Sequence, residues 1–427
     1  MKLGIFVDHF PVPSQTFVLN QVTGLIDLGV DVTVVALNPP AKGANHSAKG
    51  SACIWEDYGH LEAYRLQSRT IYLNQQDVST SGRLVTLVRR VSCTLQGLLS
   101  PARWSRTLKA LRLWRYGHHG KSLLLASVAG QVSQPLCFDV ILCHFGFNGV
   151  LAHKLRDVGV LQGVIATIFH GYEISATLAL DKYEQDYRSV FVHTALMLPV
   201  NELWQQRLLE LGCPEEKIQV QRMGVDLSLF TFNTAHVIGP KLRLFSVARF
   251  TEKKGLEYGL RALALLGDKI DFHYCLAGYG ERAESLALLV RELKLDQKVS
   301  FLGPLDQRQV IEQMQGADIF LQPSITADNG DMEGVPVAIM EAMAIGAVVV
   351  STLHSGIPEL IIHGEHGLLS AERDVLSLAE NISLLYQDPA LYAGLREKAR
   401  QRVEQMASVA TLNQQLLERL KQLLPLV

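Results

Sequence analysis

The chain has 427 residues, of which 48% are hydrophobic and 19% charged, and a formal net charge of −2. A chain of that length exceeds one ordinary core and points to two domains of roughly 200 residues each. The near-neutral balance excludes a nucleic-acid binder by charge, and the composition excludes a disordered half. Nor does the chain hold the run of about 18 apolar residues that a membrane-spanning helix needs. The six cysteines, at 53, 93, 137, 143, 213 and 275, form no CxxC pair and no metal-ligand spacing. They read as reduced, mostly buried thiols of a cytoplasmic protein. The opening KLGIFVD goes straight into a strand, with no signal peptide before it.

Residues 3–7 are a short apolar run that predicts a strand, followed by a loop over 8–14 with two prolines. A helical pattern covers 15–28, and after Gly29 a second strand is expected over 30–36. The alternation resumes with strands at 140–143, 164–169, 196–200 and 218–221, and helices near 149–157 and 201–211. Buried strands joined by single helices mark a parallel sheet covered on both faces.

Between the second and third of these strands lies an insertion with lopsided charge. From 78 to 138 there is no Asp or Glu, while Arg83, Arg89, Arg90, Arg103, Arg106, Lys109, Arg112, Arg115 and Lys121 all fall within it. Leucines, Trp104 and Trp114 are interleaved as in an amphipathic basic helix. Such a segment suits an anionic membrane surface or a lipid phosphate, and the stretch 83–121 is expected to supply it.

Two histidines of this half stand at strand ends. His170, in IFHGYEIS, follows the strand at 164–169 and precedes Gly171, a place from which it reaches a cleft. There it can donate to a sugar hydroxyl or position a reacting centre. His144, in CHFGFNG, sits similarly one strand earlier.

The polar, irregular TFNTAHVIGP around 230–240 reads as a linker. The first domain is therefore assigned to 1–235 and the second to 236–404, with a final helix at about 405–427 packing back on the first. Strands at 242–248, 272–277, 299–302, 319–321 and 347–351 alternate with helices at 256–266, 282–293 and 307–314, before a helical tail from about 375. Two doubly wound domains of the Rossmann-like α/β class facing a cleft is the natural assembly. Ligands in such sheets lie beyond the carboxyl ends of the strands.

Chemistry-bearing residues of the second domain gather at those ends. Arg249 and Lys254, in RFTEKKG, suit a diphosphate because both donate and neither needs deprotonating. Gly278 and Gly280, in AGYGERA, fit a dinucleotide fingerprint, which keeps a dehydrogenase in view, although no acidic residue follows at a strand end about 20 residues on. A glycine turn that lets backbone approach a ligand is the preferred meaning. In GDMEGVPVAIMEAMAIG, Pro336 suits a first helical position and Gly346 the residue past its end, with apolar residues all round between them. Glu341 is one carboxylate within that rod. Glu333 precedes it, where the N–H groups of Gly334 and Val335 favour an anion. HSGIPE at 354–359 predicts a further turn at the cleft.

Together, RFTEKKG, the Glu333/Glu341 pair, HSGIPEL and HGYE resemble the retaining, nucleotide-sugar-dependent glycosyltransferases of family 4, which adopt the GT-B fold. FPVPSQTFVLNQ, RMGVDLSLF and STLHSGIPEL extend the resemblance, from end to end, to the colanic acid and amylovoran biosynthesis glycosyltransferases. The resemblance implies a hexose, galactose by that analogy, moved from a UDP-sugar to an undecaprenyl-diphosphate-linked oligosaccharide on the inner face of the cytoplasmic membrane. It implies no metal and no cofactor beyond the UDP-sugar co-substrate. It implies that Arg249 and Lys254 hold the donor diphosphate, that Glu341 binds the ribose, and that Glu333 binds sugar hydroxyls beside Gly334, Val335 and Pro336. His170 lies near the reacting carbon, and the acceptor side comprises Ser14, Gln15, Thr16 and His144. Close relatives tend to carry Glu where this chain has Gln15. Three alternatives remain at this point: a UDP-sugar 2-epimerase of the same architecture, a catalytically silent assembly protein, and an NAD-dependent dehydrogenase.

Overall fold

The structure is a computed structural model and describes residues 1–12, 15–40, 59–74, 82–267 and 269–424. Of the expected site residues, Ser14 lies outside them. The first half builds a parallel sheet from β1 (Lys2–His9), β2 (Asp31–Asn38), β3 (Thr70–Tyr72), β4 (Leu136–His144), β5 (Leu161–Phe169) and β6 (Leu196–Pro199). The second builds another from β7 (Leu242–Arg249), β8 (Phe272–Tyr279), β9 (Val299–Gly303), β10 (Ile319–Gln322), β11 (Val348–Thr352) and β12 (Leu368–Ser370).

Their orders, β3-β2-β1-β4-β5-β6 and β12-β11-β10-β7-β8-β9, are the same winding used twice. The winding reverses between β1 and β4, and again between β7 and β10. Crevices for ligands open where the winding reverses. The strands are continuous apolar runs because helices cover both faces: Val348, Val349 and Val350 are all buried. The short strands β3 and β12, with three residues each, lack enough apolar run to be expected from pattern alone.

Three expectations are corrected. Residues 218–221 do not form a strand: Ile218 makes an isolated bridge to Met197, and the N–H groups of Gln219 and Gln221 donate to the carbonyls of Met197 and Pro199 at the sheet margin. A long helix, Thr177–His193, stands where none was expected. It buries only Ala179, Tyr187, Val190 and Phe191, too sparse an apolar stripe to show as a period. The basic insertion is not one helix but the series Arg83–Leu98, Trp104–Ala110, Gly117–Lys121 and Leu124–Gln131, with Pro101 in the first break.

Much of the insertion's positive charge is spent indoors. Arg90 donates to the Ser122 carbonyl, Arg103 to that of Gly130, and Arg106 to those of Val132 and Ser133, all near helix ends with orphan carbonyls. Lys109 and Arg115 share Asp157. The helix Arg83–Leu98 packs inward through small residues: a Cβ on Gly97 would lie 2.5 Å from Gly130 Cα. Its leucines and valines consequently face out, with Leu84, Val85, Leu87, Val88, Val91 and Leu95 all exposed.

The chain's end crosses between the halves. Helix Pro389–Met406 runs along the second, and helix Val409–Gln422 lies against Thr16–Asp27 of the first, where Asn413 Nδ2 donates to Asn20 O (3.3 Å). Arg396, buried, ties the crossing helix down by donating to the carbonyls of Gly346 (2.6 Å), His236 (2.7 Å) and Asn233 (2.5 Å). Replacing it by alanine strands one buried and two half-buried carbonyls and opens a cavity. Arg396→Ala should lower stability by about 3 kcal/mol or more, read as the shift in a urea unfolding curve.

Candidate functional site

The loops beyond β7, β10 and β11 meet at one carboxylate. After β7 the chain makes a tight turn, Glu252–Lys254, closed by Gly255 at φ +60, where a Cβ would collide with the Pro323 carbonyl. Only glycine fits there. The turn brings Lys254 Nζ to 3.0 Å from Glu333 Oε1, while Lys253 Nζ lies 2.9 Å from Asp331 Oδ1 and 4.0 Å from Glu333. Glu333 is 9% exposed. Burial alone would raise its pKa, but the ammonium groups of Lys254 and Lys253 bring it down to about 2. Lys253 went unnoticed beside Lys254 in the sequence, where the KK doublet was its only mark. Arg249 ends β7 on the surface and makes no ion pair among the described residues.

Glu333 is also braced from behind. Its N–H donates to His354 Nε2 (3.0 Å), so the proton of this imidazole sits on Nδ1, facing Glu372 Oε1 at 2.5 Å. Glu372 additionally accepts from the Thr326 N–H and hydroxyl, and Ser355 Oγ donates to the Glu333 carbonyl (2.6 Å). HSGIPE is thus a turn at the cleft as expected, but its histidine is fully buried and works on the backbone of 333. Glu372 stands 18 positions from His354, and no spacing in the sequence links them.

The rod behind Glu333 runs Val337–Ile345, with Pro336 as its N-cap rather than its first turn and Gly346 at φ +98 past its end. The N–H groups of Gly334 and Val335 have no protein acceptor among the described residues. Glu341 is half-buried on this helix without a cationic partner among the described residues, and burial raises its pKa to about 7. Gly278 and Gly280 meet their requirement internally: a Cβ on either would strike Ala248 O or Phe250 O of the neighbouring β7 end. Close approach of the neighbouring chain is thus one reason for glycine at both positions.

In the first half, His170 follows β5 and His144 ends β4. Their rings stack at 5.3 Å, with His144 Nδ1 and His170 Nε2 3.1 Å apart. His144 is fully buried, and burial pushes its pKa down to about 3. Its ring therefore reaches the cleft only through His170, which burial also holds neutral. Buried Glu173 fastens this corner by accepting from the N–H groups of His170 (2.7 Å), Gly171 (3.1 Å) and Gly146 (3.3 Å). Gln15 and Thr16 lie half-buried at the start of the helix after β1.

The two halves touch at this corner. A Cβ on Gly334 would lie 2.6 Å from the His170 carbonyl oxygen, and one on Gly171 3.2 Å from Met332 O. Thr177 N–H donates to Asn329 O (3.0 Å), and Met332 N–H to Ser175 Oγ (3.1 Å). The backbone at His170–Gly171 and that at Met332–Gly334 thus meet along a bare seam. Away from it, His118, His119 and Asp186 group as metal ligands would, but the Lys154 ammonium lies 2.8 Å from Asp186 and 3.4 Å from His119 Nδ1, where a cation would sit.

Residues 233–402 match the model of the family described as glycosyl transferases group 1. The chain is 42% identical over 418 residues to WcaL of Salmonella typhimurium, assigned as a colanic acid biosynthesis glycosyltransferase, covering 97% of this chain and 98% of that one. It is 40% identical over 405 residues to the amylovoran biosynthesis glycosyltransferase AmsK of Erwinia amylovora, covering 95% of each. Among solved structures, Anabaena HepE in complex with UDP and glucose superposes with a TM-score of 0.69 at 17% identity, covering 99% of this chain and 100% of that one.

Because the folded state raises Glu341, its protonated form stabilises the fold at low pH. That contribution is whole below the ordinary carboxylate value and is lost as pH rises to about 7. Glu341→Gln should flatten the fall in unfolding free energy between pH 5 and 7.5, measured by urea titration at each pH.

Proposed function

The chain belongs to the group 1 glycosyl transferases and has the GT-B fold, and from that premise we propose that it moves a hexose from a UDP-sugar to a lipid-linked oligosaccharide during exopolysaccharide assembly, with retention at the anomeric carbon. Galactose is the hexose that the resemblance favours. The observation that carries this reading is the convergence on Glu333: two lysines, the unsatisfied N–H groups of Gly334 and Val335, and a helix N-terminus behind them. All are donors suited to a diphosphate. HepE was solved with UDP and glucose, and the names of WcaL and AmsK place them in exopolysaccharide synthesis; both facts agree with such a site.

In the ligand-free chain the Glu333 carboxylate holds Lys254 in the place of that anion. Donor binding exchanges this partner: the diphosphate takes Lys254 and Arg249, and Glu333 turns to accept from sugar hydroxyls. Glu341, without a cationic partner among the described residues, accepts from the ribose. In this reading no covalent intermediate forms, and the acceptor hydroxyl attacks from the side on which the diphosphate departs. Catalysis is then electrostatic, with Arg249, Lys254 and the 334–335 amides receiving the charge that grows on the leaving oxygen. His170, neutral and across the seam, orients the sugar from the other half.

The acceptor's lipid calls for a membrane surface, and the insertion offers one. No helix among the described residues is long and apolar enough to cross a membrane. The outward face of Arg83–Leu98 continues through Leu99, Trp104, Leu108 and Trp114, the last 86% exposed with Lys121 Nζ 4.7 Å over its ring. This is a surface for lying in the headgroup layer. Since the forks of Arg90, Arg103 and Arg106 are engaged inside, hydrocarbon burial carries more of the attachment than charge does, and Arg83, Arg112 and Lys121 add the preference for anionic lipid.

Two measurements test these readings. Arg249→Ala and Lys254→Ala should each lower kcat for hexose transfer from UDP-sugar by roughly 10²-fold; unchanged turnover in both would overturn the mechanism, and sugar turnover without any acceptor would favour an epimerase. In vesicle flotation the chain should bind anionic vesicles more than neutral ones, and Leu84→Asp with Val88→Asp should leave it in the pellet with either.

A further inference from the structure

A row of rings leads away from the reacting corner. His170 lies 4.5 Å from Phe145, which stacks on Phe147 at 5.5 Å with planes 8° apart. Phe147 lies 6.1 Å from Tyr183, and Tyr183 lies 5.4 Å from His118 in the insertion. Phe17 closes the cleft end at 4.7 Å from His170. All six residues are half-buried.

Beside this row runs a second one, Phe169, Tyr187 and Phe191, joined to it through Tyr183 and Tyr187 at 6.0 Å. The second row is fully buried and belongs to the core. Of the first row, Phe17 and Tyr183 pack against that core, whereas Phe145 and Phe147 are not part of it. Phe145 strengthens the contrast, since it holds φ +69 and ψ 136, a backbone state that an aromatic residue rarely takes. Strain of that kind persists where a side chain is held in place for use.

Half-exposed aromatic faces next to polar groups are what a saccharide needs: the C–H faces of sugar rings cover the aromatic ones while hydroxyls meet donors at the edge. Lys182 Nζ, 4.8 Å over Tyr183, supplies such a donor. We propose that Phe145, Phe147 and Tyr183 form a stacking platform for the saccharide part of the acceptor, leading from the lipid-facing insertion to His170. The proposal rests on the transferase reading above and gives its acceptor a path. It assigns the lipid to the insertion, successive sugars to the rings, and the terminal hydroxyl to the cleft.

The test uses the full chain, UDP-galactose, and lipid-linked saccharides extracted from exopolysaccharide-producing cells and kept in detergent micelles, so that membrane attachment plays no part. Phe147→Ala and Tyr183→Ala should raise KM for the extract about tenfold, far more than they alter KM for the donor. Tyr183→Phe and Phe147→Tyr, which keep the rings, should restore the wild-type value and show that the loss is not one of folding. Equal acceptor KM in the alanine variants and the wild type would overturn the platform and leave the transferase intact. A wild-type chain that binds neither UDP-galactose nor any other UDP-hexose would remove both.

Discussion

Glu333 carries its charge where water scarcely reaches, and a buried carboxylate persists only if cations and hydrogen bonds replace its lost hydration. Here Lys254 and Lys253 come from the turn after β7, the peptide N–H of 333 rests on His354 from the loop after β11, and His354 leans on Glu372 beyond β12. One charge thus makes the ends of several strands answer to one another. Remove a partner and the others are left with an uncompensated group in a dry place. The same arrangement holds both lysines beside the N–H groups of Gly334 and Val335, so that several donors stand together at one place.

Much of this was legible in the sequence, and the parts that were not share a cause. The two windings and the rod from Val337 to Ile345 follow from apolar runs long enough to show a period. Arg249 and His170 stand at predicted strand ends, Lys254 in the loop after one of them, and Glu333 and Glu341 before and within the predicted rod, places where position alone suggests a role. Hidden were relations between distant residues. That Lys254 pairs with Glu333, that His354 reaches Glu372, and that Glu173 gathers three N–H groups depend on register between strands, which no local pattern encodes. The glycines at 278 and 280 show the reverse: a recognisable motif whose demand is met by the neighbouring strand.

The insertion taught most by contradicting composition. Nine basic residues without an acidic one suggested a cationic surface, yet helix ends in a bundle of short helices expose carbonyls that need donors, and arginine forks are the nearest supply. Charge counted along the chain therefore overstates charge presented to the outside. Conversely, the apolar residues of Arg83–Leu98 look like core material until Gly97 and Gly130 are seen to bring the helix in by its small side.

That inverted helix has a bearing on how the chain behaves once taken from the cell. In plain buffer its leucines and valines have no hydrocarbon to enter, so the cheapest shelter is the same face on another copy. Self-association of that origin would grow with concentration and vanish with a mild surfactant. An apparent dimer on gel filtration that vanishes with surfactant would then report this exposed apolar face.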